Sequence, residues 1–283
     1  MFNQITVIGP GLLGASICLA VRERCLARRI VVWTRKESSN KKSKQNLDID
    51  HVVNDLEESV VGSDMVILCT PVETIPQILE LIVQKLKNDS IVTDVGSVKL
   101  SICRTAKDLF KSSSANFIGS HPMAGSEKSG MDYATASLFE DRPCILTPAV
   151  DFKNQEKFNL LKIFWENLGM LVHKKTPFEH DRIISQLSHL PHLISSVLSY
   201  SLSDSGEDER ELAGQGLKDM IRISEGEPNL WSGILMENKE NLLLCLDQFQ
   251  LSLAESKNFI EREDLEGLKH FLQKGVLFKK SIM

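Results

Sequence analysis

Along the first 174 residues, short β-branched runs alternate with stretches of helical period; beyond residue 176 the strand pattern stops and the helical period continues almost to the end. The runs at 5–8, 30–33, 64–69, 90–94 and 144–147 predict strands, with shorter ones at 52–53 and 170–172. Between them 15–24, 55–61, 74–86, a segment ending near 110, and 154–168 predict helices. Ile75, Ile78, Leu79, Ile82 and Leu86 share one helical face and are expected in the core. Further helices are expected at 178–187, 193–202, 207–217, 230–249 and 265–277. The change of period divides the chain into an α/β part, residues 1–174, and an all-α part, residues 175–283.

The join between the first strand and the first helix carries chemistry. Gly9-Pro10-Gly11-Leu12-Leu13-Gly14 places glycines where a tight turn, a close approach to a pyrophosphate and close helix–strand packing each need one. In that context the turn, with Leu12 and Leu13 inside it, predicts a Rossmann-type dinucleotide-binding domain; a purely structural glycine turn is the alternative. About 20 residues on, where an NAD site usually has an acid, stand Thr34-Arg35-Lys36 and then Ser38 and Ser39. Hydroxyls and cations suit a 2′-phosphate, so the expected cofactor is NADP, with NAD as the other candidate. A solvated basic turn with Glu37 as partner is the plainer reading. Thr70-Pro71 ends one strand and Asp94 another, where a cofactor edge would lie.

Net charge of −5 and a pI near 5.9 give no general attraction to nucleic acid or to an anionic membrane. The apolar opening, residues 5–21, has no basic residue before it and is broken by Gly9, Pro10, Gly11 and Gly14, so neither a signal peptide nor a membrane span is expected. Six scattered cysteines with no CxxC pair fit reduced thiols and a cytoplasmic setting.

An apolar run at 115–119 leads into Ser120-His121-Pro122-Met123-Ala124-Gly125-Ser126-Glu127-Lys128-Ser129-Gly130, a histidine among small residues at the expected end of a strand. Ser97, in Asp94-Val95-Gly96-Ser97-Val98-Lys99, is expected on a neighbouring loop of the same rim, as a helix cap, an active-site donor, or both. In the helical part, Ser188-His189-Leu190-Pro191-His192 sets two imidazoles three apart, with His180 upstream. No HExxH or cysteine pair accompanies them, so no metal site is expected. Lys218 and Arg222, four apart, share a helical face that suits an anion, unless Asp219 or Glu225 salts it.

Taken together, the glycine turn, the Asp94–Lys99 and His121–Gly130 segments, Ser188–His192, and the late Lys218, Arg222 and Trp231 resemble the prephenate and arogenate dehydrogenases of tyrosine biosynthesis, over nearly the whole chain. The resemblance implies NAD(P)-dependent oxidative decarboxylation of a cyclohexadienol. It implies that His121 takes up the acidity of the ring hydroxyl, that Ser97 orients histidine and substrate, and that Arg222, with Lys218 nearby, binds a substrate carboxylate. It places Glu127 at the mouth of the site, His189 and His192 in the pocket, and Trp231 near the substrate, where a dimer partner can also contribute it. The helical part becomes a dimerisation domain, and the expected assembly is a homodimer. No chorismate mutase is expected before the fold and no regulatory domain after Met283, so tyrosine inhibition, where present, is expected to act at the active site. Prephenate and arogenate stay open; Glu127 and Asp181 are the carboxylates that could sense an amine. Glu227 before Pro228 departs from the family's usual Asp and predicts a weaker helix start. The competing readings are another two-domain dehydrogenase, of the 6-phosphogluconate or β-hydroxyacid type, and a catalytically silent dinucleotide sensor.

Overall fold

The computed structural model describes residues 2–35, 43, 46–125 and 130–282. Six parallel strands form the main sheet: β1 (Phe2–Ile8), β2 (Ala27–Trp33), β3 (His51–Val53), β4 (Met65–Leu68), β5 (Ile91–Asp94) and β6 (Asn116–Phe117), in the order β3-β2-β1-β4-β5-β6. Such strands are buried on both faces and read as continuous apolar runs, as Met65–Leu68 does. Order reverses between β1 and β4, which opens a crevice beyond their carboxyl ends. The helices α1 (Leu12–Glu23), α2 (Leu56–Ser59), α3 (Ile75–Ile82) and α4 (Leu100–Leu109) connect these strands.

The expected strands at 144–147 and 170–172 do not extend this sheet. They become β8 (Pro143–Thr147) and β9 (Leu171–Lys174) of a second, three-stranded sheet, with β7 (Gly119–Pro122) antiparallel to β8 and β9 parallel to it. The chain leaves one sheet after Phe117 and enters the other at Gly119, so the single apolar run at 115–119 serves two sheets. His121 therefore sits within a strand, paired with Ile145, and not on a rim loop. Helix α5 (Gln155–Asn167) contributes the buried Phe164 and Trp165 beside this sheet.

In the helical stretch, α6 (Pro177–Ile184) begins with a capping box between Thr176 and Glu179. It runs through a π-helical turn, Ser185–His189, into α7 (Leu190–Ser201). Pro191 has no N–H for the carbonyl four residues back, and the widened turn absorbs that loss, so the gap expected between 187 and 193 is not a break. The helix expected at 207–217 is interrupted over 212–214 into α8 (Glu207–Glu211) and α9 (Gln215–Ile221), with Gly214 as the N-cap of α9, and a 3₁₀ turn, Arg222–Glu225, follows. The helix expected at 230–249 is likewise two, α10 (Pro228–Glu237) and α11 (Lys239–Glu261). Glu227 caps α10 with both oxygens, accepting from Asn229 N–H at 3.1 Å and Leu230 N–H at 2.7 Å, so its longer side chain does not weaken that start. Ile234 of α10 is buried with Leu68, Val72 and Ile75, a burial that contributes about 2 kcal/mol.

By packing, the chain divides into Met1–Asn238 and Lys239–Met283; the sequence division at 174/175 falls inside the first unit. The second unit is an αα-hairpin of α11 and α12 (Leu265–Ser281), closed by Asp264 capping the Gly267 N–H at 2.9 Å and by Phe259 against Phe271.

Candidate active site

The crevice between β1 and β4 is lined by the glycine turn. Gly9 has φ +93°, and a Cβ there would lie 3.0 Å from the Cys69 carbonyl oxygen. A Cβ on Gly14 would collide with the Gly9 carbonyl, whereas one on Gly11 would meet nothing within 4 Å. Gly9 and Gly14 are thus required by the chain itself, and Gly11 keeps open the approach to the N-terminus of α1, which has no side-chain cap. Leu12, Leu13 and Thr70 are half-buried at this rim and Pro71 is exposed. These features fit a dinucleotide's pyrophosphate. At the end of β2, Thr34 is buried and its carbonyl accepts from Asn54 Nδ2 at 2.8 Å, whereas Arg35 is exposed. Lys36, Glu37, Ser38 and Ser39 lie outside the described residues, as does Glu127.

Asp94, expected at the cofactor edge, is fully buried. Its carboxylate holds the equally buried Lys99 ammonium and accepts from Gly96 N–H at 2.9 Å and Ser120 N–H at 3.3 Å. Lys99 also donates to the Ser120 carbonyl at 3.0 Å, and the Ser120 hydroxyl meets Thr93 at 2.6 Å and Trp165 Nε1 at 3.1 Å. Bonds from β5 and α5 therefore fix β7 immediately before His121. Ser97 is half-buried and is not a cap: α4 starts at Leu100, and its first N–H groups go to Asp181.

His121 is buried, with Nδ1 2.8 Å from His180 Nε2; His180 Nδ1 lies 2.7 Å from Asp181 Oδ1. Burial first, and then the neighbouring His180, Lys99 and His189, hold His121 well below the ordinary histidine range. Burial also lowers His180 against the opposing pull of Asp181, and takes His189 down to about 4. His189 accepts from Asn238 Nδ2 at 3.2 Å through Nδ1, and its buried Nε2 has no partner among the described residues, so this ring offers a neutral N–H donor. His192 stacks on Trp231 of the same chain, ring centroids 3.5 Å apart and 5° from parallel, and Trp231 meets His189 edge-on at 6.4 Å. Ser195 of α7 donates to the Met220 carbonyl at 2.9 Å, and Ser199 meets Ser224 at 3.0 Å, which ties the turn carrying Arg222 to the helix carrying His192. Lys218 and Arg222 are exposed, and neither pairs with a carboxylate among the described residues: Asp219 instead accepts from Gln215 at 2.8 Å. Among the described residues no group of three His, Cys, Asp or Glu could hold a metal ion.

The structure therefore gathers His121, His189, His192 and Trp231 around residues that sequence reasoning either missed or misassigned. Lys99 gave no signal beyond its place five residues after Asp94. His180 was noted only as a third imidazole upstream of His189 and His192, and Asp181, a candidate amine sensor, is spent on α4 and His180. Asn238 had no signal.

A glycine-lined crevice for a dinucleotide, in the same packing unit as a buried, neutral imidazole able to accept a hydroxyl proton, defines a nicotinamide-dependent dehydrogenase. Comparison with known proteins makes the class particular. The family model "Prephenate dehydrogenase, nucleotide-binding domain" matches residues 17–174, and "Prephenate dehydrogenase, dimerization domain" matches 176–274. The chain belongs to the prephenate dehydrogenase family. It is 32% identical to the cyclohexadienyl dehydrogenase of Zymomonas mobilis, over 96% of this chain and 93% of that protein. The prephenate dehydrogenase of Aquifex aeolicus, solved with hydroxyphenyl propionate and NAD+, superimposes with a TM-score of 0.92 at 30% identity, covering 100% of this chain and 99% of that one. Synechocystis arogenate dehydrogenase gives 0.84 at 29%, covering 99% and 100%. Likeness to the Mycobacterium tuberculosis 3-hydroxyisobutyrate dehydrogenase, TM-score 0.55 at 12% identity, is one of fold alone. No helix among the described residues is long and apolar enough to cross a membrane.

Proposed function

We propose that the protein oxidatively decarboxylates prephenate or arogenate with a nicotinamide dinucleotide, His121 serving as the base. The observation that carries this is a buried histidine held neutral beside a dinucleotide crevice. Gly9, Gly11, Leu12, Leu13 and Gly14 would hold the pyrophosphate, with Thr70, Pro71 and the end of β5 at Asp94 bordering the nicotinamide. The bound cofactor supplies the hydride acceptor. As hydride leaves the ring carbon bearing the hydroxyl, the electron pair of the bond to the departing carboxylate stays in the ring and makes it aromatic. His121 shares the hydroxyl proton while positive charge builds on that carbon and oxygen, and returns it to the phenol. Ser97 orients the hydroxyl, and the exposed cations Arg222 and Lys218 hold the substrate's carboxylates. His189 donates its Nε2–H, and His192 and Trp231 form a ring wall. The engagement of Asp181 elsewhere favours the keto acid over the amine.

The reading extends to NADP, through Arg35 and the hydroxyls and cations after it. It also extends to a homodimer in which the helices from residue 175 onward are the dimerisation domain. Exposed Leu244, Leu251, Leu265, Leu272, Leu277 and Phe278 on α11 and α12 support a partner surface. Tyrosine, where it inhibits, competes at the same site, and the setting is cytoplasmic. A steady-state assay of prephenate and arogenate, each against NAD and NADP, tests the whole. Turnover of prephenate with NADP is expected, and none on either substrate refutes the function. Arg35→Ala should raise the KM for NADP and leave that for NAD unchanged; equal effects refute the 2′-phosphate reading.

A further inference from the structure

A histidine acts as a base through one ring nitrogen, and the bond made by the other decides which. For His121 the hydrogen bonds settle the choice. Asp181 Oδ1 accepts the Lys99 N–H at 2.8 Å and Oδ2 accepts the Leu100 N–H at 2.9 Å, so both oxygens are acceptors and the group is a carboxylate. His180 Nδ1, 2.7 Å from Oδ1, must therefore donate to it. Burial keeps His180 neutral, so with its proton on Nδ1 it carries a lone pair on Nε2. His121 Nδ1 lies 2.8 Å from that lone pair and must donate in turn. The lone pair of His121 is left on Nε2.

We propose that His180 and Asp181 are positioning residues of the reaction, locking His121 as the Nδ1–H tautomer so that Nε2 is the atom that takes the hydroxyl proton. The proposal rests on the reading of His121 as the base. When the proton reaches Nε2, the imidazolium already shares its Nδ1–H with a ring backed by a carboxylate, so the new charge is met through bonds in place beforehand. Asp181 performs a second task with the same oxygens, holding the N-terminus of α4 beside the loop that carries Ser97. The other ionisable groups near the pair are Lys99, whose ammonium Asp94 holds, and the neutral His189.

The test reads the tautomer directly. An NMR spectrum of the intact protein labelled with ¹⁵N-histidine, assigned by the signal lost in His121→Asn, should show His121 protonated at Nδ1 and bare at Nε2 near neutral pH. A proton on Nε2 overturns the proposal and needs no variant of the relay to do so. In His180→Leu the anchor is gone, and kcat should fall by about 10²–10⁴-fold, as when a base loses its orienting partner. Over the same change the KM for dinucleotide should stay within about twofold, and the His121 signal should shift to a tautomer mixture. Unchanged kcat, or a lower kcat with the tautomer kept, refutes a positioning role. Failure of the underlying reading looks different: His121→Asn itself would then retain turnover.

Discussion

Lys99→Met takes a charge out of the most enclosed part of the site. Neither Lys99 nor Asp94 has any exposed side-chain surface, and methionine keeps most of the lysine's stem. After the change the Asp94 carboxylate retains only the Gly96 and Ser120 N–H groups, at 2.9 and 3.3 Å, and the Ser120 carbonyl loses its donor. Removing one partner from a buried pair typically costs about 3–5 kcal/mol. At about 2–4 °C per kcal/mol for a chain of roughly this size, Tm should fall by on the order of 10 °C. Lys99→Met/Asp94→Asn removes the stranded charge but keeps an acceptor for Gly96, and should recover more than half of the loss. Urea titration of wild type, both single variants and the double closes the cycle, with a constant m-value as the check that one transition is read throughout. A loss under about 1 kcal/mol for Lys99→Met would put the pair in the class of exposed salt bridges. A double variant no more stable than Lys99→Met would show that the stranded charge was not the cause. Either result refutes the reasoning.

Two further outcomes follow from the same geometry. Gly226→Ala would set a Cβ against the Trp231 indole nitrogen and 2.8 Å from His192 Cε1. Because both rings are stiff and stacked, the variant should lose about 1–3 kcal/mol and raise substrate KM with cofactor affinity unchanged; normal KM would remove the stack from the pocket. The depressed folded-state values of His121, His180, His189 and His192 mean that the unfolded chain binds more protons below its own histidine value near 6.5. Stability should therefore fall as pH drops from about 6.5 towards 4, His189 alone accounting for on the order of 3 kcal/mol, and a Tm that stays flat over that range would contradict it.

Most of the sheet was legible because parallel strands are apolar runs bounded by turn residues, and the glycine turn was legible because its chemistry is local. The second sheet was not, since nothing in 115–122 marks where the chain leaves one ladder for another. Helix ends at Gly214 and Asn238 were missed for different reasons. The first is a glycine inside an otherwise helical pattern. The second depends on an amide whose partners, the Asp181 carbonyl and His189, are far away in sequence. The site followed the same rule. His121, His189 and His192 announce themselves by residue type and neighbours. Lys99 and Asp181 act through contacts across 21 and 82 residues, and no spacing rule reaches that far.

The buried base faces two opposed demands, and the charges around it show how both are met. To accept a proton His121 must be neutral at working pH, which burial and the neighbouring Lys99 secure by disfavouring the imidazolium. To hold that proton during the reaction it needs a negative group within reach. Asp94 is largely cancelled by Lys99, which leaves the Asp181 carboxylate, one ring behind, as the charge that answers the imidazolium. Sequence alone expects activity to fall as pH drops through about 6.5, the value of an unperturbed histidine. The structure moves that limb down: His121 of the free enzyme stays neutral at pH 6.5 and gains its proton only well below it, so the acid limb of kcat/KM should lie under 6.5. Lys99→Met, by removing a cation, should move the limb up towards the ordinary value. An acid limb at or above 6.5 in the wild type, or one indifferent to Lys99, would mean that a group other than His121 governs it.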